Sequence, residues 1–498
     1  MRTWRTGLAL LGALVLLSIV AVEPPDKKVA ADASGTVETD SGDEGGGGPA
    51  EEGPTEDTAV DPNNPEATGV TTPDGKPVTG GPATTVKQGT ATGRNYECKA
   101  GRNGGNTDRG VTGNRINLAS TNVRSGTGSS FLGTSYIGMQ AVVNRVNAAG
   151  GICGRLLSLR LVDDAWNPAT GNGYLQTFSK GDYFALPVVP SSEGLTLAIT
   201  NRTISSAGIP VVGTDGMLKE QYADPWVWPV ATSTVSTMRI MAKYAHDNGA
   251  KSFGIVYDTR YKFGEEGAEA FKAYVNQLTA KDPAAYVGIE PGQGNYAGPA
   301  KKFNDECGAN GCDFVAMLLT PETATTYISS QTDKDGRRQG FGRLMTGGAQ
   351  PLFNERFGRD CGKPCDGMLV WTGYNPPIGR LSSEKDVAAY VDDVRSVDPG
   401  VDVNNQFLEG AYLGMKVFVD ALQKVGPDLT RKRMQEVMNS MRYESSLSSP
   451  LQWSATQRFA NQAAQPFRIV TASNSFAGFA EVGTGFLPDP TPGVVPKD

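Results

Sequence analysis

At 498 residues the chain has room for more than one domain and for a substantial buried core. Its formal net charge of −7 leaves no basic footprint for nucleic acid or an anionic lipid surface. The single histidine, His246, lies in a helical run over 238–246, which argues against Ser-His and metal-His mechanisms.

In chain order, Arg2 and Arg5 precede an apolar run over 7–22 followed by Glu23, Pro24 and Pro25. This is the pattern of an export signal, expected over 1–33. The small residues Ala31-Asp32-Ala33 lie well downstream of the run, so the segment is read either as a cleaved signal or as a short uncleaved anchor. No cysteine follows the run for a lipid anchor. Residues 34–113 are dominated by Gly, Pro, Thr and acidic residues and lack apolar periodicity, so a disordered linker is expected. A coil of about 80 residues spans roughly 50 Å, enough for a tether from a membrane, although a passive spacer fits equally.

From 114 the pattern changes. Residues 116–119 alternate as a strand, and a loop of small and hydroxylated residues, including Ser125, follows. Tyr136, Ile137, Met139, Ala141, Val142, Val143 and Val146 then recur at helical spacing, and Gly150-Gly151 ends the run. Residues 157–162 return as a strand ending at Asp163-Asp164. Strand, helix and strand form one right-handed βαβ unit, which places a ligand loop at the carboxyl end of the first strand. Strands are expected at 183–189, 208–212, 252–258, 314–319, 343–345 and 367–371, with helices at 195–206, 407–424 and 431–441. Closing strands are expected at 450–453 and 467–470. Such alternation predicts an α/β protein with two doubly wound lobes.

The six cysteines behind an export signal suggest disulfides. The simplest pairing is Cys98 with Cys153, Cys307 with Cys312, and Cys361 with Cys365. The alternative is a structural zinc site built from the last four.

The string NAAGGICGR over 147–155, followed by VDDAWNP over 162–168, resembles the first lobe of type I periplasmic solute-binding proteins. Within that group it is most similar to the branched-chain amino acid (Leu/Ile/Val) binding family of ABC importers. The resemblance covers about 115–482 and implies two Rossmann-like lobes joined by a three-segment hinge. It divides the chain into lobe one at 114–232 and 373–442, lobe two at 233–372 and 443–485, and a flexible tail at 486–498. It further implies a small-molecule ligand, an ABC permease as partner, a monomer, no cofactor or metal, no nucleic acid, and a place outside the cytoplasmic membrane.

Relatives hold the ligand carboxylate with hydroxyls and amides after the third strand, which carries over to Ser191 and Ser192. The next strand contributes Thr214, Asp215 and Gly216. The aromatic of the second lobe's first loop aligns with Phe263, with Tyr261 beside it, and a later contact falls near Thr320. Loop positions add Ser125 and Gln350. The acid that relatives use for an ammonium group is absent from the stretch Gly347-Gly348-Ala349-Gln350, which leaves Asp215 or Glu322 as substitutes, or a ligand without an ammonium. The expected ligand is therefore an amino acid, an amide or a small carboxylate.

Two other classes remain in view. A sensor of the same fold would bind without transport. An exported hydrolase would need Ser191 or Ser192 as nucleophile, but no G-x-S-x-G elbow surrounds them.

Overall fold

The computed structural model describes residues 103–331 and 341–493, together with the backbone of 86–88 and 96–98. The export segment and nearly all of the expected linker lie outside the described residues. Within that linker, strands β1 (Val86–Gln88) and β2 (Tyr96–Cys98) pair antiparallel. Residues 103–113, expected to close the linker, are folded: Val111 is buried and the Asn103 amide donates to the Cys153 carbonyl at 2.9 Å.

The first lobe opens with β3 (Arg115–Asn122), α1 (Ser129–Leu132), α2 (Ser135–Ala148) and β4 (Leu156–Asp163). It continues through α3 (Pro168–Lys180), α4 (Ser192–Thr200), α5 (Thr203–Ala207), β5 (Val211–Val212) and β6 (Val227–Trp228). Local chemistry sets these boundaries. Gly150 and Gly151 take φ of 91° and 75° to end α2, while the Asn167 side chain caps α3 by accepting from Thr170 N–H with Pro168 at the first turn.

β3 pairs in parallel with β4 over its whole length, and β5 with β6. Residues 183–189, expected as a strand, lie between β3 and β5 but bridge β3 only at Leu118–Ala185. On the other side Leu186 and Val188 donate to the carbonyls of Pro210 and Val212. The ladder is broken because Pro187 has no N–H to give and Val188 sits at a φ of 50°. The lateral order is still that of a doubly wound sheet, with its switch point between β3 and this segment.

The second lobe runs from α6 (Thr234–Asp247) through β7 (Phe253–Asp258), α7 (Lys262–Thr279), β8 (Ala285–Ile289) and α8 (Ala297–Cys307). It continues with β9 (Phe314–Leu318), α9 (Pro321–Gln331), β10 (Met345–Gly348), α10 (Glu355–Cys361) and β11 (Leu369–Thr372). The strand expected at 343–345 is shifted: Arg343 pairs with Asp313, Leu344 is half exposed, and Gly347 and Gly348 lie inside β10.

Helices α11 (Lys385–Val397), α12 (Gln406–Val425) and α13 (Arg431–Met438) follow, then β12 (Arg442–Tyr443) paired with β13 (Leu451–Gln452). The chain closes with β14 (Ala463–Ala472), β15 (Ser475–Glu481) and β16 (Leu487–Pro488). The second sheet has the order β15-β14-β11-β10-β9-β7-β8, parallel from β8 to β11 and antiparallel at β14 and β15.

Residues from α2, α11 and α12 share one apolar core with β3, while β7 and β9 contribute to the cores of the second lobe. Three crossing segments meet where the Asn461 amide donates to Gly373 O at 3.0 Å and the Thr232 hydroxyl donates to Ala463 O at 2.5 Å. Cys307–Cys312 and Cys361–Cys365 are disulfides, so these sulfurs are not the thiolates a zinc site would need. The side chain of Cys98 lies outside the described residues.

Backbone contact locks α12 onto the first sheet. A Cβ on Gly414 would collide with Gly213 O and lie 2.9 Å from Gly213 Cα. Gly414→Ala should therefore destabilise the fold by about 1–3 kcal/mol through overpacking. Urea unfolding checks this, and an unchanged midpoint would mean that α12 slides freely.

Candidate functional site

The carboxyl ends of the first-lobe strands carry a polar chain of two hydrogen-bonded clusters, reached by the consecutive residues Ser191 and Ser192. The Ser191 hydroxyl donates to Asp164 Oδ1 at 2.8 Å, and the neighbouring Ser192 hydroxyl donates to Asp215 Oδ2 at 2.5 Å. Asp164 Oδ1 also receives Trp166 N–H at 3.0 Å, whereas Asp164 Oδ2 is buried without a partner. Gln221 organises the next loop: its Oε1 accepts from Thr214 Oγ1 at 2.6 Å and Gly216 N at 3.2 Å, and its amide donates to Asp215 Oδ1. Burial pushes both Asp164 and Asp215 up to about 6, against the hydrogen bonds that favour their charge.

A cavity of about 20 Å³ lies beside this chain. Asp215, Tyr374 and Phe407 line it, with Val188, Pro190 and Gln406. That volume holds about one water. The cavity wall contains no lysine, arginine or histidine.

The two lobes meet in a closed seam. Trp166 of the first lobe stacks on Tyr261 of the second with ring centroids 4.2 Å apart, and Phe263 lies 6.4 Å from Trp166. Phe131 packs edge-on against Trp166 at 5.2 Å and reaches Phe407 at 5.3 Å, so aromatic rings run from the seam to the cavity. Polar contacts flank the rings. Glu193 accepts from Lys262 N–H at 2.8 Å, Glu266 accepts from Lys219 N–H at 3.1 Å, and Ser130 donates to Glu322 at 3.0 Å. Lys262 Nζ pairs with Glu220. Burial raises Glu193, and burial with the Glu220 charge raises Glu266 to about 7.

The structure thus brings Ser192, Thr214, Asp215 and Gly216 into one hydrogen-bonded network, binds Ser191 separately to Asp164, and gathers Tyr261 and Phe263 into one aromatic group. The hydroxyls of Ser191, Ser192 and Thr214 are all engaged with protein acceptors, and Asp215, which accepts from Ser192, Gln221 and Met217, lines the cavity. Thr320 stands apart: its N–H donates to the buried Asp258 at 2.6 Å and its hydroxyl bonds Thr323. Gln350 turns toward the hinge, donating to Thr232 O and Thr237 Oγ1. Ser125 is exposed beside Asp163. Glu322 lies on the exposed rim, whereas Asp215 is the acid on the cavity wall.

The sequence reading did not single out Phe131, Trp166, Tyr374 or Phe407 as site residues. Trp166 alone left a signal, as the aromatic inside the VDDAWNP string.

The family model described as periplasmic binding protein matches residues 115–477. No curated protein matches the chain. Among solved structures, a possible leucine/isoleucine/valine-binding protein from Rhodopirellula baltica SH 1 aligns with a TM-score of 0.63 at 14% identity, over 73% of this chain and 96% of its own. A fatty acid ABC transporter substrate-binding protein from Thermomonospora curvata gives 0.64 at 14%, over 77% and 94%. A solute-binding protein of an ABC transporter from R. palustris, in complex with 4-hydroxybenzoate, gives 0.62 at 15%, over 76% and 98%. At such identities the likeness is one of fold.

Proposed function

Because the chain belongs to the periplasmic binding protein family, we propose that it is the extracytoplasmic solute-binding subunit of an ABC importer. Its task is to capture a small solute between two lobes and to present the closed form to a membrane permease. No bond of the solute is broken, in keeping with a family of binding proteins. The lobes divide at 232/233 and 372/373. We take the third crossing to follow Trp453, where the resemblance implies 442/443; the packing of Leu447, Leu451 and Trp453 in one apolar core with Leu408 and Tyr412 supports this.

One observation carries the ligand reading. The cavity at the carboxyl ends of the first-lobe strands has a carboxylate, Asp215, and no basic side chain on its wall. A solute bringing positive charge or a further donor suits Asp215, whose oxygens already accept from Ser192, Gln221 and Met217, while a bare carboxylate would be repelled. Amino compounds and amides are therefore favoured over the plain carboxylic acids of the initial ligand range.

Thermal shift of the full-length protein against amino acids, amines, amides and carboxylates tests this reading. A true ligand raises the melting temperature by mass action. Asp215→Asn should weaken its binding by about tenfold or more, as expected when a charged hydrogen bond is lost. Silence across the whole panel, repeated by calorimetry, would end the solute-capture reading.

A further inference from the structure

The closed seam is aromatic on both sides, and the acids beside it outnumber the bases free to meet a ligand. Trp166 and Phe131 face it from the first lobe, Tyr261 and Phe263 from the second. Phe407 and Tyr374 continue the row to Asp215 at the cavity. Asp164 holds the Trp166 backbone, and Glu193 holds the N–H of Lys262, next to Tyr261. Of the cations nearby, Lys262 pairs with Glu220 and Glu266, Arg124 lies over the Tyr136 ring at 5.2 Å, and Arg260 is exposed to solvent, with its charge acting on the Tyr261 hydroxyl.

From this juxtaposition, and resting on the solute-binding reading above, we infer that the solute is an organic cation. A substituted ammonium enters between Trp166 and Tyr261, with Glu193 and Asp215 supplying the compensating charge.

The physical case has two parts. Aromatic faces carry negative potential and attract a cation lying over them, most strongly where water is excluded. Trp166 stacked on Tyr261 already shows that the two lobes can present parallel faces across the seam, and opening the lobes exposes both. Alkyl groups on the ammonium are buried by the same rings, which a strongly hydrated primary ammonium does not exploit as well. An aromatic carboxylate would find the stacking surface, yet the cavity wall offers it no cation.

Calorimetric titration of the full-length protein with choline decides the matter, with its neutral carbon isostere 3,3-dimethylbutan-1-ol as comparator. Tetramethylammonium, leucine and 4-hydroxybenzoate complete the set. Choline or tetramethylammonium should bind, and the neutral isostere should be weaker than choline by about tenfold or more. Trp166→Leu should cut choline affinity by about tenfold, and Trp166→Phe should restore most of it. Equal binding of choline and its isostere would overturn the inference, as would an unaltered affinity in Trp166→Leu. Should Trp166→Leu fail to fold, the isostere comparison still decides. If leucine or 4-hydroxybenzoate binds and neither cation does, the organic-cation inference fails while the solute-binding function stands. If nothing binds in this set or in the thermal-shift panel, both fail.

Discussion

Arg155→Met should lower the unfolding free energy by about 3–5 kcal/mol, because it removes a buried charged donor from four main-chain carbonyls. Arg155 is fully buried, and its guanidinium is tied to main-chain carbonyls on three segments. Nε donates to Thr112 O at 2.8 Å, Nη1 to Pro427 O at 3.0 Å, and Nη2 to Gly105 O at 2.9 Å and to Asn103 O. It joins the entering segment 103–112 to the loop after α12. Burial lowers its pKa, opposed by the charge of Asp428. Methionine fills much of the volume but leaves these carbonyls without donors, at about 1–3 kcal/mol for each one that water fails to reach. Lysine should recover only part of the loss, since a point ammonium cannot span a planar fork. Equilibrium urea unfolding at pH 7 measures this, and a loss below about 1 kcal/mol would show that solvent reaches the site.

The ligand-free protein should lose stability as pH rises from about 5 to 8, and Asp258→Asn should flatten part of that slope, with Glu266, raised to about 7, and the buried Glu409 among the other contributors. Asp258 ends β7 fully buried, with Oδ2 accepting from Thr320 N–H at 2.6 Å and Oδ1 unpartnered. Burial raises it to about 8 despite that hydrogen bond, and Asp164, Asp215 and Asp402 are raised to about 6. A carboxyl with a raised native pKa binds more protons folded than unfolded. Stability therefore falls with pH between the unfolded value near 4 and the native value. Each such group contributes about 1.4 kcal/mol per pH unit across its own interval. Below pH 4 the trend reverses. For Asp313, burial acts upward but is outweighed by the N–H groups of Lys251 and Ser252 and by Arg343, so its carboxyl is held below the usual range. Melting temperatures from pH 4 to 9 test both the profile and the variant. A curve that rises toward pH 8 would contradict the burial of these acids.

The local elements were legible because they rest on near-neighbour rules. The apolar spacing of 136–146, the glycine pair at 150–151 and the terminal Asp163-Asp164 mark a βαβ unit by themselves, and the NAAGGICGR string points to its family. What failed locally had local causes in tertiary disguise. Residues 183–189 have strand composition, yet Pro187 and the φ of Val188 break the ladder. Gly347 and Gly348 look like a loop, yet they are the last residues of β10, paired with β9 and β11, where a Cβ would meet Met241 and Phe314 at the first and Met368 and Leu352 at the second. In both places the packing around the backbone decided the outcome.

The site divides along the same line. Ser192, Asp215 and Tyr261 lie in loops that follow strands, a position the topology of doubly wound sheets makes legible, and the family resemblance singled them out within those loops. Which of their groups are free could not. That Ser191 is consumed by Asp164, and Thr214 by Gln221, depends on partners 27 and 7 residues away. The pairing of Trp166 with Tyr261 joins the two lobes, and that of Phe407 with Phe131 joins two distant segments of the first, so neither pair shares a sequence neighbourhood. Sequence by itself determined that this chain builds two α/β lobes with loops of small and polar residues at their strand ends, since periodicity and turn chemistry act over a few residues. Only the tertiary structure decided that the cleft is aromatic and acidic, because burial and cross-lobe contact are set by the whole chain at once.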